Sequence, residues 1–359
     1  EFTTILGFED QVAVMPSLVQ PKRLGVLGSD GQSYRFLVKP KDDLRKDARL
    51  MEFNSMINRL LGADVETRRR KMHIRTYAVL PLNDTCGLIE WVPKTVGLRL
   101  ILGKYYSNRG VSLAVRPILS LFLTLPIQLI VLLFAPRIKP VFHEWFLDTF
   151  PDPERWYAAR KSYSVTLAVM SMIGYLVGLG DRHGENILFD STNGEAVHVD
   201  LNCLFDKGKT FERPELVPFR LTQNLVAALG VTGVEGAFRR TCEETLRVIR
   251  EHEASLMCVL ETFVHDPLVE WGSNSKSSRT SVDVAGKRKG RGSRDAVQDN
   301  RARYDRAIKV LRTVEKKLQG EILHAGLNLS EKGQVDELIR QAVDPDNLSK
   351  MYIGWAAFL

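Results

Sequence analysis

Residues 180–200 constrain this chain more tightly than any other stretch. Gly180-Asp181-Arg182-His183-Gly184-Glu185-Asn186 is almost wholly polar; Ile187-Leu188-Phe189-Asp190 follows, then Ser191-Thr192-Asn193-Gly194, and His198-Val199-Asp200 closes the run. Asn-Gly tolerates the positive φ that tight hairpin turns need, so the spacing predicts a β-hairpin over 186–200. Counting back from the turn sets Asn186 opposite Asp200 at the open end of that hairpin. An amide oxygen and a carboxylate held side by side suit a hard divalent cation. Mg²⁺ in particular takes few protein oxygens and keeps room for phosphates.

The rest of the chain has to supply a scaffold for this hairpin. With 359 residues, 44% of them hydrophobic, it can build a two-lobed domain or two ordinary cores. The formal charge of +7 is modest, and much of it sits in Arg68-Arg69-Arg70-Lys71 and Lys287-Arg288-Lys289-Gly290-Arg291, which read as solvated faces. Cys86, Cys203, Cys242 and Cys258 are scattered without a C-x-x-C pair, which fits a reducing compartment and argues against zinc or a disulfide framework. No secretory signal opens the chain, which starts at Glu1 and reads as part of something longer. Residues 118–135 carry no charge over about the length of a membrane span. Pro117, Pro126 and Pro136 punctuate them, and both flanks read as one continuous domain, so a buried helical pair is expected rather than a span.

The first portion reads as strands and hairpins, with 23–27 and 34–39 flanking the turn Gly28-Ser29-Asp30-Gly31. Helical spacing follows over 42–61, then strands at 76–82 and 87–92 split by Asn83-Asp84. Residues 145–178 are mostly helical, with Pro151 and Pro153 marking a helix start, and helices resume after the hairpin from 221 to about 269. Residues 272–303, rich in Ser, Gly, Lys and Arg, read as a disordered linker; 304–325 as a charged amphipathic helix; the final thirty or so as a compact tail. The expected fold class is therefore α+β, two-lobed, with a small β-rich N-lobe and a larger helical C-lobe.

Asp181 stands five residues before Asn186, the offset that ordinary protein kinases place between their catalytic Asp and metal-binding Asn, although the order here is Asp-Arg-His rather than His-Arg-Asp. The string D-R-H-x-x-N followed by a metal-binding Asp resembles the phosphatidylinositol 3-kinase-related kinases and the phosphoinositide kinases, which share a PI 3-/4-kinase type of two-lobed fold. By that resemblance, Asp181 orients or accepts the proton of an attacking hydroxyl, and His183 stabilises charge on the transferring phosphoryl group. Asn186 and Asp200 would hold Mg²⁺ or Mn²⁺ on the ATP phosphates. Lys39, in Phe36-Leu37-Val38-Lys39-Pro40-Lys41-Asp42-Asp43-Leu44-Arg45-Lys46-Asp47, matches the ATP-contacting lysine, with Asp47 as its orienting partner and Asp42 as a further acidic match. Ser17, in Met15-Pro16-Ser17-Leu18, matches the phosphate-contacting loop. Glu90-Trp91-Val92 matches the hinge, whose backbone would bond adenine while Trp91 stacks on it. Tyr77 lies in the run that leads to that hinge, and Leu188 and Val199 would floor the adenine site.

The resemblance runs from Ile5 to Leu359 and is similar in detail to the ATR-type branch of DNA-damage checkpoint kinases, through runs such as Val141-Phe142-His143-Glu144-Trp145-Phe146 and Val199-Asp200-Leu201-Asn202-Cys203. It implies an N-lobe and hinge over 1–92, a C-lobe over 93–271 with catalytic loop 180–186 and activation segment 200–220, the linker 272–303, a regulatory helix over 304–328 and a FATC element over 329–359. It further implies protein substrates with Ser or Thr before Gln, a nuclear location, contact with DNA only indirectly, and an ATR-interacting-protein-type partner bound through an upstream solenoid. Between about 111 and 139 the resemblance collapses and then resumes in register, which points to a local frame or splice error or to divergence. Two rivals share the fold: a phosphoinositide lipid kinase, which would concentrate basic residues in the activation segment, and a non-catalytic scaffold, which would have lost its ligands. Here Lys207, Lys209, Arg213 and Arg220 alternate with Asp206, Glu212 and Glu215, and Lys39, Asp181, Asn186 and Asp200 are all present. A third rival is a membrane-anchored protein built on 118–135. The tail concentrates Tyr352, Ile353, Trp355 and Phe358, which predicts that it docks and steadies the activation segment.

Overall fold

Six strands form the first layer of the computed structural model, which describes residues 2–15, 20–111, 138–264, 293–321, 328–357 and 359. β1 (Ile5–Phe8) and β2 (Ala13–Val14) both pair with β3 (Lys22–Gly28), which pairs antiparallel with β4 (Ser33–Pro40). The turn between β3 and β4 works as its sequence requires, with Gly31 at φ 76° donating its N–H to the Gly28 carbonyl at 3.0 Å. α1 (Arg45–Ala63) and the short α2 (Val65–Arg69) cross over to β5 (Val79–Asn83) and β6 (Cys86–Glu90), and β6 returns beside β4 with Lys39 opposite Gly87. Leu50, Phe53, Ile57 and Leu61 bury one stripe of α1, at the three- and four-residue spacing that a half-buried helix needs. Together, β3 to β6 and α1 make the expected N-lobe.

The C-lobe is helical apart from a small sheet in which β7 (Thr95–Gly97), β8 (Ile187–Asp190) and β9 (Ala196–His198) lie side by side. Its helices are α3 (Leu98–Asn108), α4 (Phe142–Thr149) and α5 (Pro153–Leu176) before the hairpin, and α6 (Gln223–Ala228) and α7 (Ala237–Glu251) after it. Asp152 caps α5 by accepting the Arg155 N–H at 2.9 Å, with Pro153 at the first helical position, so the proline signal marks a true start. Phe142, Trp145, Phe146, Phe150, Tyr163 and Phe189 interlock as the aromatic centre, with Phe142 and Phe189 only 4.6 Å apart. Phe189 belongs to β8, so this cluster anchors the hairpin to α4 and α5. Thr166 of α5 adds a second tie by accepting the Ala196 N–H at 3.0 Å.

The described residues divide into two units, 1–249 with 329–359, and 250–328. The second unit pairs α8 (Glu253–Val264) with α9 (Ser293–Leu318). α9 begins inside the stretch expected as linker and stops short of the expected end of the helix, which corrects both boundaries. Its early turns carry enough good helix formers (Arg, Ala, Gln) to extend the periodic part backward. The tail contains α10 (Glu331–Val343), capped by Ser330, and the short α11 (Pro345–Ser349), capped by Asp344. Among the described residues no helix is long and apolar enough to cross a membrane. The apolar stretch 118–135, most of the basic linker, Ser17 and Phe358 lie outside the described residues.

Candidate active site

The hairpin register differs by one residue from the expected one. Ile187 pairs with His198 and the Val199 N–H donates to the Asn186 carbonyl at 3.0 Å, so Asn186 stands opposite Val199 rather than Asp200. The turn sets this: Asp190 and Glu195 are the last bonded pair (2.9 Å), with Ser191 to Gly194 as the loop between them. Asp200 lies just beyond the ladder, at φ 57°, and Asp181 occupies the same left-handed region at φ 58°. Such conformations are sparse for residues with a Cβ and persist where the surroundings dictate them.

What dictates them is a guanidinium. Arg182, 4% exposed, donates to four backbone carbonyls: Gly180 at 2.9 Å, Val199 at 2.8 Å, Asn186 at 3.4 Å, and Asp200. The catalytic loop is thereby sewn to the strand that ends in Asp200. The Asn186 amide N–H₂ donates to the Asp181 carbonyl at 2.9 Å, which leaves its amide oxygen as the free donor atom. One oxygen of Asp200 is buried and makes no hydrogen bond, with the Lys39 ammonium 3.4 Å from it. These two oxygens fit a hard cation. Among the described residues no cluster of three His, Cys, Asp or Glu side chains could hold a metal by itself, so the cation would share its coordination with phosphate.

Lys39 reaches across from β4 and lies 3.4 Å from both Asp200 and Asp42. Burial works against its charge, yet Asp200, Asp47 and Asp42 together hold its pKa above the ordinary lysine value. Asp47 does not pair directly with Lys39: one oxygen accepts the Leu201 N–H at 2.9 Å and the other has no hydrogen-bond partner. Burial raises its pKa to about 6, against the pull of the Leu201 N–H and Lys39. Asp42, the lesser expectation, is thus the aspartate beside the lysine, because α1 starts at Arg45 and carries Asp47 inward under the activation segment.

His183 Nδ1 accepts the Glu185 N–H at 3.2 Å, so the neutral ring carries its proton on Nε2, which lies 3.9 Å from an Asp181 oxygen. Burial lowers the His183 pKa, partly opposed by Asp181, and favours that neutral form. On the hinge side, the Glu90 N–H donates to the Ala78 carbonyl and the Trp91 N–H to the Arg35 carbonyl, each at 2.8 Å. The sheet therefore occupies two of the three backbone donors expected for adenine. Trp91 is half-buried, with the Arg23 guanidinium 5.4 Å above its ring. Val92 is buried, Leu188 and Val199 are half-buried, and the Tyr77 hydroxyl donates to the His198 carbonyl at 3.3 Å.

The tail completes the site. Trp355, 5% exposed, packs with Leu348, Met351, Ala357 and the activation-segment residue Val217. Its ring lies 4.3 Å beneath the Arg220 guanidinium, which donates to the Trp355, Ala356 and Arg182 carbonyls at 2.5, 3.0 and 3.3 Å. Burial and Arg99 push the Arg220 pKa down to about 9, so it stays charged at neutral pH. The Leu216 N–H also meets the Met351 sulfur at 3.4 Å. Tyr352 departs from the expectation: it is 60% exposed and lines a cavity of about 540 Å³ with Asp181, His183, Phe211 and Glu215. Arg182, Glu215 and Arg220 were not picked out by sequence reasoning as site residues. The available signal was an arginine enclosed by apolar residues in Val217-Pro218-Phe219-Arg220-Leu221.

The phosphatidylinositol 3- and 4-kinase family matches residues 33–273, and the FATC domain matches 328–359. Protein kinase rad3 of Schizosaccharomyces pombe is 49% identical over 360 residues, covering 99% of this chain and 14% of that protein. Serine/threonine-protein kinase ATR of Arabidopsis thaliana is 48% identical over 362 residues, covering 99% of this chain and 13% of that protein. Among solved structures, the FAT and kinase domain of CtTel1 superposes with a TM-score of 0.83 at 35% identity, covering 99% of this chain and 24% of that one. The chain thus spans about a seventh of the curated relatives it matches. By the extent of the family match and by the geometry of 180–200, the chain belongs to the phosphatidylinositol 3- and 4-kinase family and carries a FATC domain.

Proposed function

We propose that this chain transfers the γ-phosphoryl group of ATP to serine or threonine hydroxyls of proteins, in the manner of the serine/threonine kinases it is similar to. The observation that carries the reading is the cavity beside Asp181 and His183, walled by the activation segment and the tail, which offers an extended acceptor a floor and two sides. A headgroup-binding trough would need free basic side chains there. Arg220 is instead buried beneath the tail, Lys209 pairs with Asp206 at 3.2 Å, and Arg213 shares the cavity wall with the acidic Glu212 and Glu215.

In this reading Lys39 binds ATP phosphate, and Asn186 and Asp200 hold Mg²⁺ or Mn²⁺, which neutralises phosphate charge when bound. Asp181 orients the acceptor hydroxyl and takes its proton. The neutral His183 presents its Nε2–H to the oxygens of the transferring group. Phosphoryl transfer asks for such positioning more than for covalent chemistry. The resemblance to ATR-type kinases extends the proposal to a Ser-Gln or Thr-Gln preference, nuclear checkpoint signalling and an upstream solenoid that receives an ATR-interacting-protein-type partner. Transfer of labelled phosphate from ATP to a Ser-Gln peptide, with none to an Ala-Gln peptide or to phosphoinositide vesicles, is the expected result. Transfer to the vesicles alone would replace this reading with the lipid-kinase one.

A further inference from the structure

Glu215 lies in the activation segment, 34 residues from Asp181 in sequence, yet both of its carboxylate oxygens accept the Asp181 N–H, at 2.9 and 3.1 Å. Among the described residues no lysine or arginine forms an ion pair with it, although the segment holds several. Burial raises its pKa, the Asp181 N–H works against that, and the Asp181 charge adds to the rise. A carboxylate set beside another carboxylate is a costly placement, offset in part by the Asp181 N–H and the Arg182 charge.

The surroundings are cut to admit it. A Cβ on Gly180 would come within 2.5 Å of the Glu215 carboxylate, and a Cβ on Gly208 would overlap it. The Glu215 N–H donates to the Gly208 carbonyl at 3.1 Å, so the 3₁₀ turn Lys207–Thr210 fixes where the side chain starts. Asp181 itself sits at φ 58°, a conformation that is costly for a residue with a side chain. Its carbonyl is held by the Asn186 amide, and its N–H is held by Glu215. A charge-assisted bond of this type is roughly twice as strong as a neutral one.

We propose that Glu215 is a positioning residue for phosphoryl transfer: delivered by the activation segment, its carboxylate locks the Asp181 backbone so that the Asp181 side chain meets the acceptor hydroxyl. This rests on the reading of Asp181 as the acceptor-side base. Glu215 is then coupled to the chemical step more than to nucleotide binding: the ion pair of Lys39 with Asp200 does not involve it, and Asn186 meets it only through the Asp181 peptide.

The test is a steady-state comparison of Glu215→Ala, Glu215→Gln and Asp181→Ala in the purified protein, with ATP and a Ser-Gln peptide. Glu215→Ala should lower kcat by about ten- to a hundredfold, the scale of a misplaced reacting group, with the KM for ATP within about twofold of the parent. Glu215→Gln keeps an oxygen that can accept the Asp181 N–H and should recover most of the rate. A general structural defect would move the KM for ATP as well. Where Glu215→Ala fails to fold, Gly208→Ala carries the test, since its Cβ would displace the carboxylate and should produce the same kcat-only loss. Unchanged kcat in Glu215→Ala, or Glu215→Gln as slow as Glu215→Ala, overturns the proposal. Full transfer by Asp181→Ala would instead overturn the reading on which it rests.

Discussion

The two sides of the cleft are held by different physics. On the C-lobe side, Arg182 and Arg220 are buried guanidiniums that bond backbone carbonyls of the catalytic loop, the metal-side strand and the tail. On the N-lobe side, Lys39 faces Asp42 and Asp200 as an ion pair with partly exposed partners, with Asp47 close behind. Carbonyls do not titrate and cannot leave the backbone, so the first arrangement is fixed once the chain folds. Side-chain charges can change partners, so the second can hand Asp200 from an ammonium to a metal ion. On the proposed reading, the acceptor side is then rigid and the phosphate side exchangeable.

The comparison breaks outright if removing either end of the metal and base set leaves activity. Asp200→Ala should abolish transfer and weaken metal-dependent nucleotide binding. Asp181→Ala should spare nucleotide binding and slow transfer by about 10²- to 10⁴-fold, the usual range for a lost general base. Titration of a fluorescent ATP analogue with and without Mg²⁺, beside single-turnover transfer, separates the two. Normal turnover in either variant removes the site assignment.

The next largest effects should come from the carbonyl side. Arg220→Met removes the donors from the Arg182, Trp355 and Ala356 carbonyls, and each buried acceptor left unsatisfied costs about 1–3 kcal/mol. Melting should fall markedly, transfer by about tenfold or more, and Mg²⁺ should not restore either. Trp355→Ala empties the other half of the same contact. It should cost about 3–5 kcal/mol, the usual range for a buried aromatic, and open 200–220 to proteolysis while nucleotide binding persists. Full activity with an unchanged cleavage pattern would show that the tail serves another purpose.

How much of this was legible in the sequence follows from how local each feature is. The Asn193-Gly194 turn and the helix start at Pro153 are written within a few residues of where they act and stand as read, and the helix expected over 42–61 is there but begins at Arg45. The hairpin register was misjudged by one residue although the loop 191–194 was read correctly, since equal counting from that loop pairs Asn186 with Val199. Asp47 was matched to Lys39 through the family resemblance; its charge does act on the lysine, but its hydrogen bond goes to Leu201, 154 residues away. The Arg220–Trp355 pairing spans 135 residues, and no periodicity reports such a meeting. Tyr352 shows the converse limit: hydrophobic count predicted docking of the tail, but only backbone direction decides which ring turns in.

On the exchangeable side, Lys39→Met should leave Asp42, Asp47 and Asp200 crowded without their cation. A loss of about 1–2 kcal/mol in the metal-free protein is expected, between the values for exposed and buried pairs. Millimolar Mg²⁺ should recover that loss, whereas it should do nothing for Arg220→Met. Calorimetric melts of the two variants with and without Mg²⁺ draw the line directly. Equal responses to Mg²⁺ would erase the proposed difference between the two sides.

The smallest effect sharpens the comparison, because it concerns a tie between the two halves that does titrate. Glu195, in the turn of the catalytic hairpin, meets His73 Nε2 at 3.0 Å and Arg75 at 3.2 Å, both in the segment leading to Tyr77. The hydrogen bond to Glu195 raises the His73 pKa against its burial, and the bond from His73 lowers that of Glu195. For a histidine raised on folding, the stabilisation is fully present below its unfolded value of about 6.5 and is lost as pH rises through the folded value. For Glu195 the sign is opposite: its share is lost as pH falls through its lowered folded value. The tie is therefore strongest between those two limits and weakens as pH rises through the raised His73 value. His73 is 39% exposed, so solvent screening keeps the worth of the pair within about 1 kcal/mol. Between pH 6 and pH 8 the parent should lose more unfolding free energy than His73→Gln, by that amount or less, and the gap should shrink in high salt. Parallel pH dependences in the two proteins would mean that Arg75 alone holds Glu195, and that the hairpin turn is pinned independently of pH.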